Sequence, residues 1–147
     1  MSPEGRRLRV VADTNVLFSA LAFPKDTPPS NVVALARARR IDLYASPFIL
    51  EELEQTLRRK AAWTAGPIQV LRKMFKPFLL VVEPKRHVDI IKRIEADNRI
   101  LECALEAHAD VLVTGNMKDI RPLGSFQGIV ILTPREFLDT YFPKPTR

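Results

Sequence analysis

The residues best suited to chemistry in this sequence are acidic and amide side chains that follow predicted strands or begin predicted helices. Asp13 follows the apolar run Leu8 to Ala12, which contains adjacent valines and is typical of a buried strand. In open parallel sheets, the carboxyl ends of the strands form the edge at which ligands bind. Asp13 can therefore offer oxygens to a metal ion, or it can simply cap a helix that begins near Asn15.

Four more oxygen-bearing side chains stand at comparable positions, and they are Glu52, Asp97, Asn116 and Asp119. If the first and fourth predicted strands are neighbours where the strand order reverses, these side chains converge on one crevice. Two carboxylates about 4 Å apart repel each other by roughly 4 kcal/mol at an effective dielectric constant of about 20, so a divalent cation is needed to stabilise such a cluster. Mg²⁺ or Mn²⁺ suits these ligands, and such an ion can activate water for attack on a phosphodiester.

Other kinds of site find no support in the sequence. The single cysteine, Cys103, lies in an apolar helical pattern, which favours a buried structural thiol in a reducing cytoplasm. His87 and His108 have no Cys or His neighbour at the spacing of a zinc site, and the five glycines form no phosphate-binding GxGxxG pattern. No apolar stretch approaches the ~20 residues that span a bilayer, and no signal-peptide segment is evident, so we expect a cytoplasmic protein without a membrane anchor.

The chain is basic, with a formal net charge of +6 at pH 7. The cations come in small clusters such as Arg58, Arg59 and Lys60, and the position of such a cluster at a helix end is explained by the helix dipole. The overall excess of positive charge nevertheless indicates attraction to a polyanion such as nucleic acid.

The elements that must position these side chains alternate between strand-like and helix-like segments, which is typical of a mainly parallel sheet with helices on its faces. Strands are predicted at residues 8–12, 41–45, 78–83, 110–114 and 128–132. Helices are predicted near residues 15–21, 31–39, 47–60, 67–75, 87–93, 98–108 and 134–141, with Ser30, Ser46 and Asp97 as N-caps. We therefore expect one α/β domain over residues 1–147, with its core at 8–141 and a short flexible tail at 142–147.

Four segments resemble, in order, the motifs of the PIN domain family. They are Val11-Ala12-Asp13-Thr14-Asn15-Val16-Leu17, Ser46-Pro47-Phe48-Ile49-Leu50-Glu51-Glu52-Leu53, Asp97-Asn98-Arg99-Ile100-Leu101-Glu102-Cys103-Ala104-Leu105 and Ala109-Asp110-Val111-Leu112-Val113-Thr114-Gly115-Asn116. The conserved glutamate of the second motif falls on Glu52 and the acidic position of the third falls on Asp97. The fourth motif ends in Asn116, where the family commonly has Asp.

This resemblance implies a three-layer α/β/α sandwich, in which the five predicted strands would form the central, mainly parallel sheet. It also implies a ribonuclease that depends on Mg²⁺ or Mn²⁺ and cuts single-stranded or structured RNA. Many small members of the family, such as the VapC group, are toxins of toxin–antitoxin pairs. The partners implied by the resemblance are therefore an RNA substrate, a cognate antitoxin protein and a second copy of the chain in a homodimer.

For the catalytic site, we expect Asp13, Asp97 and an acid or amide from Asn116 and Asp119 to hold one ion. Glu52 is expected either to bind the ion or to orient a water molecule.

Three supporting residues are also candidates. Asn15 can bond to the aspartate of the first motif or to a metal-bound water, or it can cap a helix. The Thr114 hydroxyl can contact a phosphate or a metal-bound water, or it can simply end a strand. Glu102 is a further acid, although it lies about 140° around an ideal helix from Asp97.

The replacement of the usual Asp by Asn116 leaves an alternative open, namely a PIN-fold module of weakened catalysis that binds RNA or a protein partner. A phosphoacceptor receiver domain also uses an Asp at a strand end with Mg²⁺, but it needs an acidic pair before that Asp and a Lys at a later strand end. Neither feature is evident in this sequence.

Overall fold

The computed structural model describes residues 5–23 and 25–145, and its centre is a six-stranded sheet flanked by helices in a three-layer α/β/α arrangement. The strands are β1 (Leu8–Ala12), β2 (Ile41–Ala45), β3 (Leu79–Val81), β4 (Val111–Val113), β5 (Ser125–Phe126) and β6 (Ile129–Leu132). The helices are α1 (Thr14–Ala22), α2 (Pro28–Arg37), α3 (Pro47–Ala61), α4 (Ala65–Phe75), α5 (Asp97–Glu106) and α6 (Pro134–Tyr141), with a short 3₁₀ helix at Arg121–Leu123. Residues 1–4, 24, 146 and 147, which include the start of the chain and the end of the expected flexible tail, lie outside the described residues.

The strand order is β3-β2-β1-β4-β6-β5, and every pair is parallel except β5 with β6. Strand β1 lies between β2 and β4, and Val10, Val11 and Ala12 are completely buried, as expected for a central strand covered on both faces. The chain builds the sheet in one direction from β1 to β3 and in the other through β4 and β6. The strand order therefore reverses between β1 and β4, which confirms the expected neighbours.

The sheet has six strands, one more than the sequence predicts, because a hairpin adds a short antiparallel strand at its edge. Gln127 and Gly128 connect β5 to β6, and their φ angles are +49° and +84°. A two-residue hairpin turn with positive φ at both positions matches the right-handed twist of the strands, and Gly adopts this conformation without steric cost. The two-residue strand β5 is too short to leave an alternating pattern in the sequence.

The helix predicted at residues 87–93 is wrong, since no regular secondary structure occurs there. Residues 85–95, which we call the strap, run along α5 instead. The Val88 N–H donates to Oε2 of Glu102 at 2.9 Å, and the N–H groups of Ile90 and Ile91 donate to Oδ1 of Asn98 at 3.0 and 2.8 Å. Side chains of α5 thus take the hydrogen bonds that a helix would have made internally.

Two of the three predicted N-caps also differ from the structure. Thr27, rather than Ser30, caps α2, and Ser30 completes a reciprocal capping box from the third helical position. Asp97 is the first residue of α5 and makes no cap hydrogen bond. Ser46 caps α3 as predicted, because its hydroxyl accepts the Ile49 N–H at 3.2 Å. The carboxylate of Asp97 is therefore available for contacts outside its own helix.

The thiol of Cys103 is completely buried in α5, and burial raises its pKa to about 12. This agrees with the expected structural thiol.

Phe142, in the segment expected to be a flexible tail, packs against Phe137 with ring centroids 5.8 Å apart, and the guanidinium of Arg40 lies 5.0 Å from its ring centroid.

Among the described residues, no helix has both the length and the apolar content that crossing a membrane requires.

Candidate functional site

A cavity of about 170 Å³ lies at the carboxyl ends of β1 and β4, and most of the predicted site residues line it. These lining residues are Asp13, Asn15, Glu52, Asp97 and Asn116. Larger cavities, of about 690 and 520 Å³, lie against α2, but the predicted acidic residues do not line them. The expected convergence at the switch point of the sheet is therefore present for Asp13, Glu52, Asp97 and Asn116.

Asp13 caps α1 and also lines the cavity, where its role as a metal ligand remains a prediction. Its Oδ1 accepts the Val16 N–H at 2.9 Å and so caps α1, while its Oδ2 accepts a hydrogen bond from the Thr114 hydroxyl. Only 3% of Asp13 is exposed, and this burial raises its pKa despite the two hydrogen bonds. A carboxylate that is buried without a cation beside it is costly to ionise, so this position favours the binding of positive charge.

Thr114 acts on this aspartate from the end of β4. It is completely buried, and its hydroxyl also accepts the Asn116 N–H at 2.9 Å. Because the Thr114 hydroxyl donates to Asp13 inside the protein, it orients the carboxylate rather than facing a ligand.

Glu52 reaches the cavity from the side of α3, as predicted. Its Oε1 accepts the Thr14 hydroxyl at 2.8 Å, which fixes one carboxylate oxygen and leaves the other without a hydrogen bond to the described residues. Thr14 was not predicted as a site residue, although its place directly after Asp13, at the first position of α1, was a usable signal.

Asp97 and Asn116 bond directly to each other across the cavity. The Asn116 Nδ2 donates to Oδ2 of Asp97 at 3.0 Å, whereas its Oδ1 accepts the backbone N–H groups of Lys118 and Asp119 at 3.2 and 2.9 Å. This arrangement differs from the predicted oxygen ligand, because the amide oxygen is already occupied by backbone donors. The pKa of Asp97 is raised, first by burial and then by the charges of Asp119 and Glu52.

Asp119 does not line the cavity but lies near it, close enough for its charge to affect Asp97. Arg93 of the strap donates to both of its oxygens, from Nε at 3.0 Å and from Nη2 at 2.7 Å. These hydrogen bonds lower the pKa of Asp119 and keep the carboxylate ionised. Asp119, which was expected to be a metal ligand, is thus bound by Arg93 of the strap. The sequence did not predict the conformation of that segment.

Glu102 is not part of this site, which corrects its predicted supporting role. Its Oε2 accepts the Val88 N–H at 2.9 Å and forms an ion pair with Arg99 Nη2 at 2.9 Å, and His87 Nδ1 lies 3.3 Å away. The reason is the rotation of about 140° between positions 97 and 102 of α5, which turns Glu102 toward the strap.

Asn15 lines the cavity and is exposed. It does not cap a helix, because Asp13 is the N-cap of α1. Of its two predicted roles, the one within the site therefore remains a prediction.

The donor chemistry of the cavity fits a hydrated divalent cation. Asp13, Glu52 and Asp97 supply carboxylate oxygens, and the pKa values of both aspartates are raised chiefly by burial and further by neighbouring carboxylates. Within residues 5–23 and 25–145, no three His, Cys, Asp or Glu side chains are close enough to enclose an ion directly. Mg²⁺ normally retains several waters and binds through one or two carboxylates and substrate phosphates, so it does not need a complete protein cage.

Comparisons with known proteins agree with this geometry. A family model described as "PIN domain" matches residues 9–118. An uncharacterized protein of Methanocaldococcus jannaschii is 27% identical over 147 aligned residues, which cover 92% of each chain. The fold is similar to that of a chain in the crystal structure of VapBC2 from Rickettsia felis bound to a DNA fragment from their promoter, with a TM-score of 0.57 and 16% identity. That match covers 84% of this chain and 97% of the other.

Proposed function

Because the chain belongs to the PIN domain family, we propose that it is a nuclease that hydrolyses RNA with the help of Mg²⁺ or Mn²⁺. The observation that carries the proposal is the convergence of Asp13, Glu52 and Asp97 on one cavity at the switch point of the sheet. The net charge of +6 supports a polyanionic substrate.

In this proposal, Asp13 and Asp97 hold the cation. The hydrogen bonds that these carboxylates accept from Thr114 and Asn116 fix their orientation. A bound divalent cation would stabilise the negative charge that develops on the phosphodiester as water attacks. Glu52 accepts the proton of that water at Oε2 while Thr14 holds Oε1. One phosphorus–oxygen bond forms to the water oxygen, and the bond to the leaving oxygen breaks.

The direct test is the incubation of purified protein with a panel of single-stranded and hairpin RNAs. We expect cleavage products with Mg²⁺ or Mn²⁺ and none with EDTA, because the carboxylates alone cannot neutralise a phosphodiester. Cleavage that is equally fast in EDTA, or no cleavage of any RNA with either ion, would contradict the proposal.

One observation favours a second candidate, a PIN-fold module without catalysis that binds RNA or a protein. Asn116 brings no charge, and its oxygen is occupied by backbone N–H groups, so the site has one ligand fewer than the family usually supplies. Isothermal calorimetry with Mn²⁺ separates the two candidates. A nuclease site should bind the ion with measurable heat, whereas a non-catalytic module should not bind it.

We further propose that the nuclease is a VapC-like toxin that acts in the cytoplasm and is inhibited by a cognate antitoxin protein. The proposal is supported by the family membership and by the similarity to VapBC2. A homodimer is also proposed, since Val70 and Met74, one turn apart on α4, are 56% and 52% exposed and offer apolar side chains to a second copy. Light scattering after size-exclusion chromatography should give twice the monomer mass of 16.7 kDa.

A further inference from the structure

Helix α3 carries two cations into the same cavity as its catalytic candidate, Glu52. Thr56, Arg59 and Lys60 follow Glu52 by four, seven and eight residues, and all four side chains line the cavity. These spacings place them within a sector of about 100° around the helix and along about 12 Å of its axis. Side chains of a helix tilt toward its N-terminus, so Arg59 and Lys60 lean toward the carboxylate end of the cavity.

These two cations are free, whereas Arg93, which lies beside the site, is paired. Among the described residues, neither Arg59 nor Lys60 has an ion pair or a side-chain hydrogen bond. By contrast, Arg93 is bound to Asp119, and Arg72 is bound to Glu54 on α3 itself. Arg59 and Lys60 are exposed, so both can accept an anionic partner from solution without breaking an existing contact.

The helix dipole alone does not explain this pair. Arg58, Arg59 and Lys60 all lie in the last turn of α3, where any cation is favourable. Arg58 does not line the cavity and lies about 120° around the helix from Glu52. The three residues therefore share the dipole but differ in whether they face the cavity, which makes Arg58 a matched control.

From this arrangement, we propose that Arg59 and Lys60 bind the RNA phosphate next to the one that is cut. The inference rests on the proposed nuclease function and adds a substrate contact to it. Helix α3 then presents both Glu52, which accepts a proton from the attacking water, and the two cations that hold the RNA chain on one side of the phosphate that is cut. The planar guanidinium of Arg can donate to two phosphate oxygens at once, and Lys adds a compact charge.

The test measures the binding of a fluorescein-labelled twelve-nucleotide oligouridylate in EDTA by fluorescence anisotropy over a range of NaCl concentrations. The double variant Arg59→Ala/Lys60→Ala should bind roughly tenfold more weakly, because each of the two exposed cations should contribute about threefold to the affinity. The slope of its log affinity against log salt concentration should be less steep by about 1.4. Each cation that contacts a phosphate of single-stranded nucleic acid contributes roughly 0.7 to that slope. Arg58→Ala should stay within about twofold of the parent, with an unchanged slope.

Two further measurements separate binding from the chemistry. With Mn²⁺ present, the double variant should show a raised KM and a nearly unchanged kcat, and its Mn²⁺ affinity by calorimetry should equal that of the parent. If the parent cleaves RNA but the double variant retains the parent's affinity, salt slope and KM, the phosphate contact is wrong and the nuclease stands. An equal loss in Arg58→Ala would also overturn the inference, since it would indicate general charge attraction. A parent protein that neither binds nor cuts RNA would instead refute the proposed function.

Discussion

The Asp13→Asn variant is expected to lose RNA cleavage by about three orders of magnitude, or about 4 kcal/mol of transition-state stabilisation, while it remains folded. Asn has the same shape, so its oxygen can still accept the Val16 N–H and its amide can donate to the Thr114 hydroxyl. It lacks the negative charge that the proposed cation requires. Initial rates of cleavage of a labelled RNA with Mn²⁺ measure the loss.

The same variant should be at least as stable as the parent at neutral pH in EDTA. Burial raises the pKa of Asp13 in the folded state, so the native protein binds this proton more tightly than the unfolded chain does. The free energy of unfolding of the parent therefore falls as the pH rises from the pKa of Asp13 in the unfolded chain through its raised pKa in the folded protein. The lost stability is not regained at higher pH. Asn cannot ionise, so the difference in unfolding free energy should grow in favour of the variant across this window.

Thermal unfolding in EDTA and in Mn²⁺ supplies the controls for Asp13→Asn. Mn²⁺ should raise the Tm of the parent and have a smaller effect on the variant, because an ion that binds only the native state stabilises it. Asp42→Asn is a matched substitution, since Asp42 lies on β2, pairs with Arg7 and does not line the cavity. It should retain full activity. If Asp13→Asn cuts as fast as the parent, the proposed site is wrong.

Much of the fold could be predicted because its signals are local. The buried valines of β1, the proline after Ser46 and the alternation of strands and helices all depend on neighbouring residues. The strap and strand β5 could not be predicted in this way. The strap has apolar residues such as Val88 and Ile91 at helical spacing, but its backbone N–H groups bond to side chains of α5. Such tertiary hydrogen bonds override a local pattern.

The same distinction applies to the candidate site. The strand-end position of Asp13 was informative because the carboxyl ends of parallel strands always meet at one edge. Glu102 was misassigned because the rotation along α5 that separates it from Asp97 turns it toward the strap, whose path was not predicted. Arg93 was overlooked for the same reason, since only the path of the strap brings it to Asp119. The amide orientation of Asn116 depends on backbone donors in the following turn, which no spacing of acidic residues reveals.

Asn98→Ala is expected to lower the free energy of unfolding by at least about 3 kcal/mol, because several buried or part-buried backbone groups lose their partner at once. Asn98 is completely buried, and its Oδ1 accepts the N–H groups of Ile90 and Ile91. Its Nδ2 donates to the carbonyl oxygens of Ile91 and Glu95 at 2.8 and 3.0 Å. Urea denaturation followed by circular dichroism measures the change, and trypsin should cut the released strap after Arg93.

Arg93→Gln is the control that separates the anchoring of the strap from the ion pair that the strap carries. It removes the ion pair to Asp119 but leaves all four hydrogen bonds of Asn98 intact. More than half of the Arg93 side chain is exposed, so this variant should keep nearly the denaturation midpoint of the parent and resist trypsin as the parent does, apart from the removed cleavage site. Cleavage after Lys92 reports on the strap in both variants. If Asn98→Ala keeps the parent's denaturation midpoint and shows no new cleavage, the strap is held by the packing of Val88 and Ile91 rather than by Asn98.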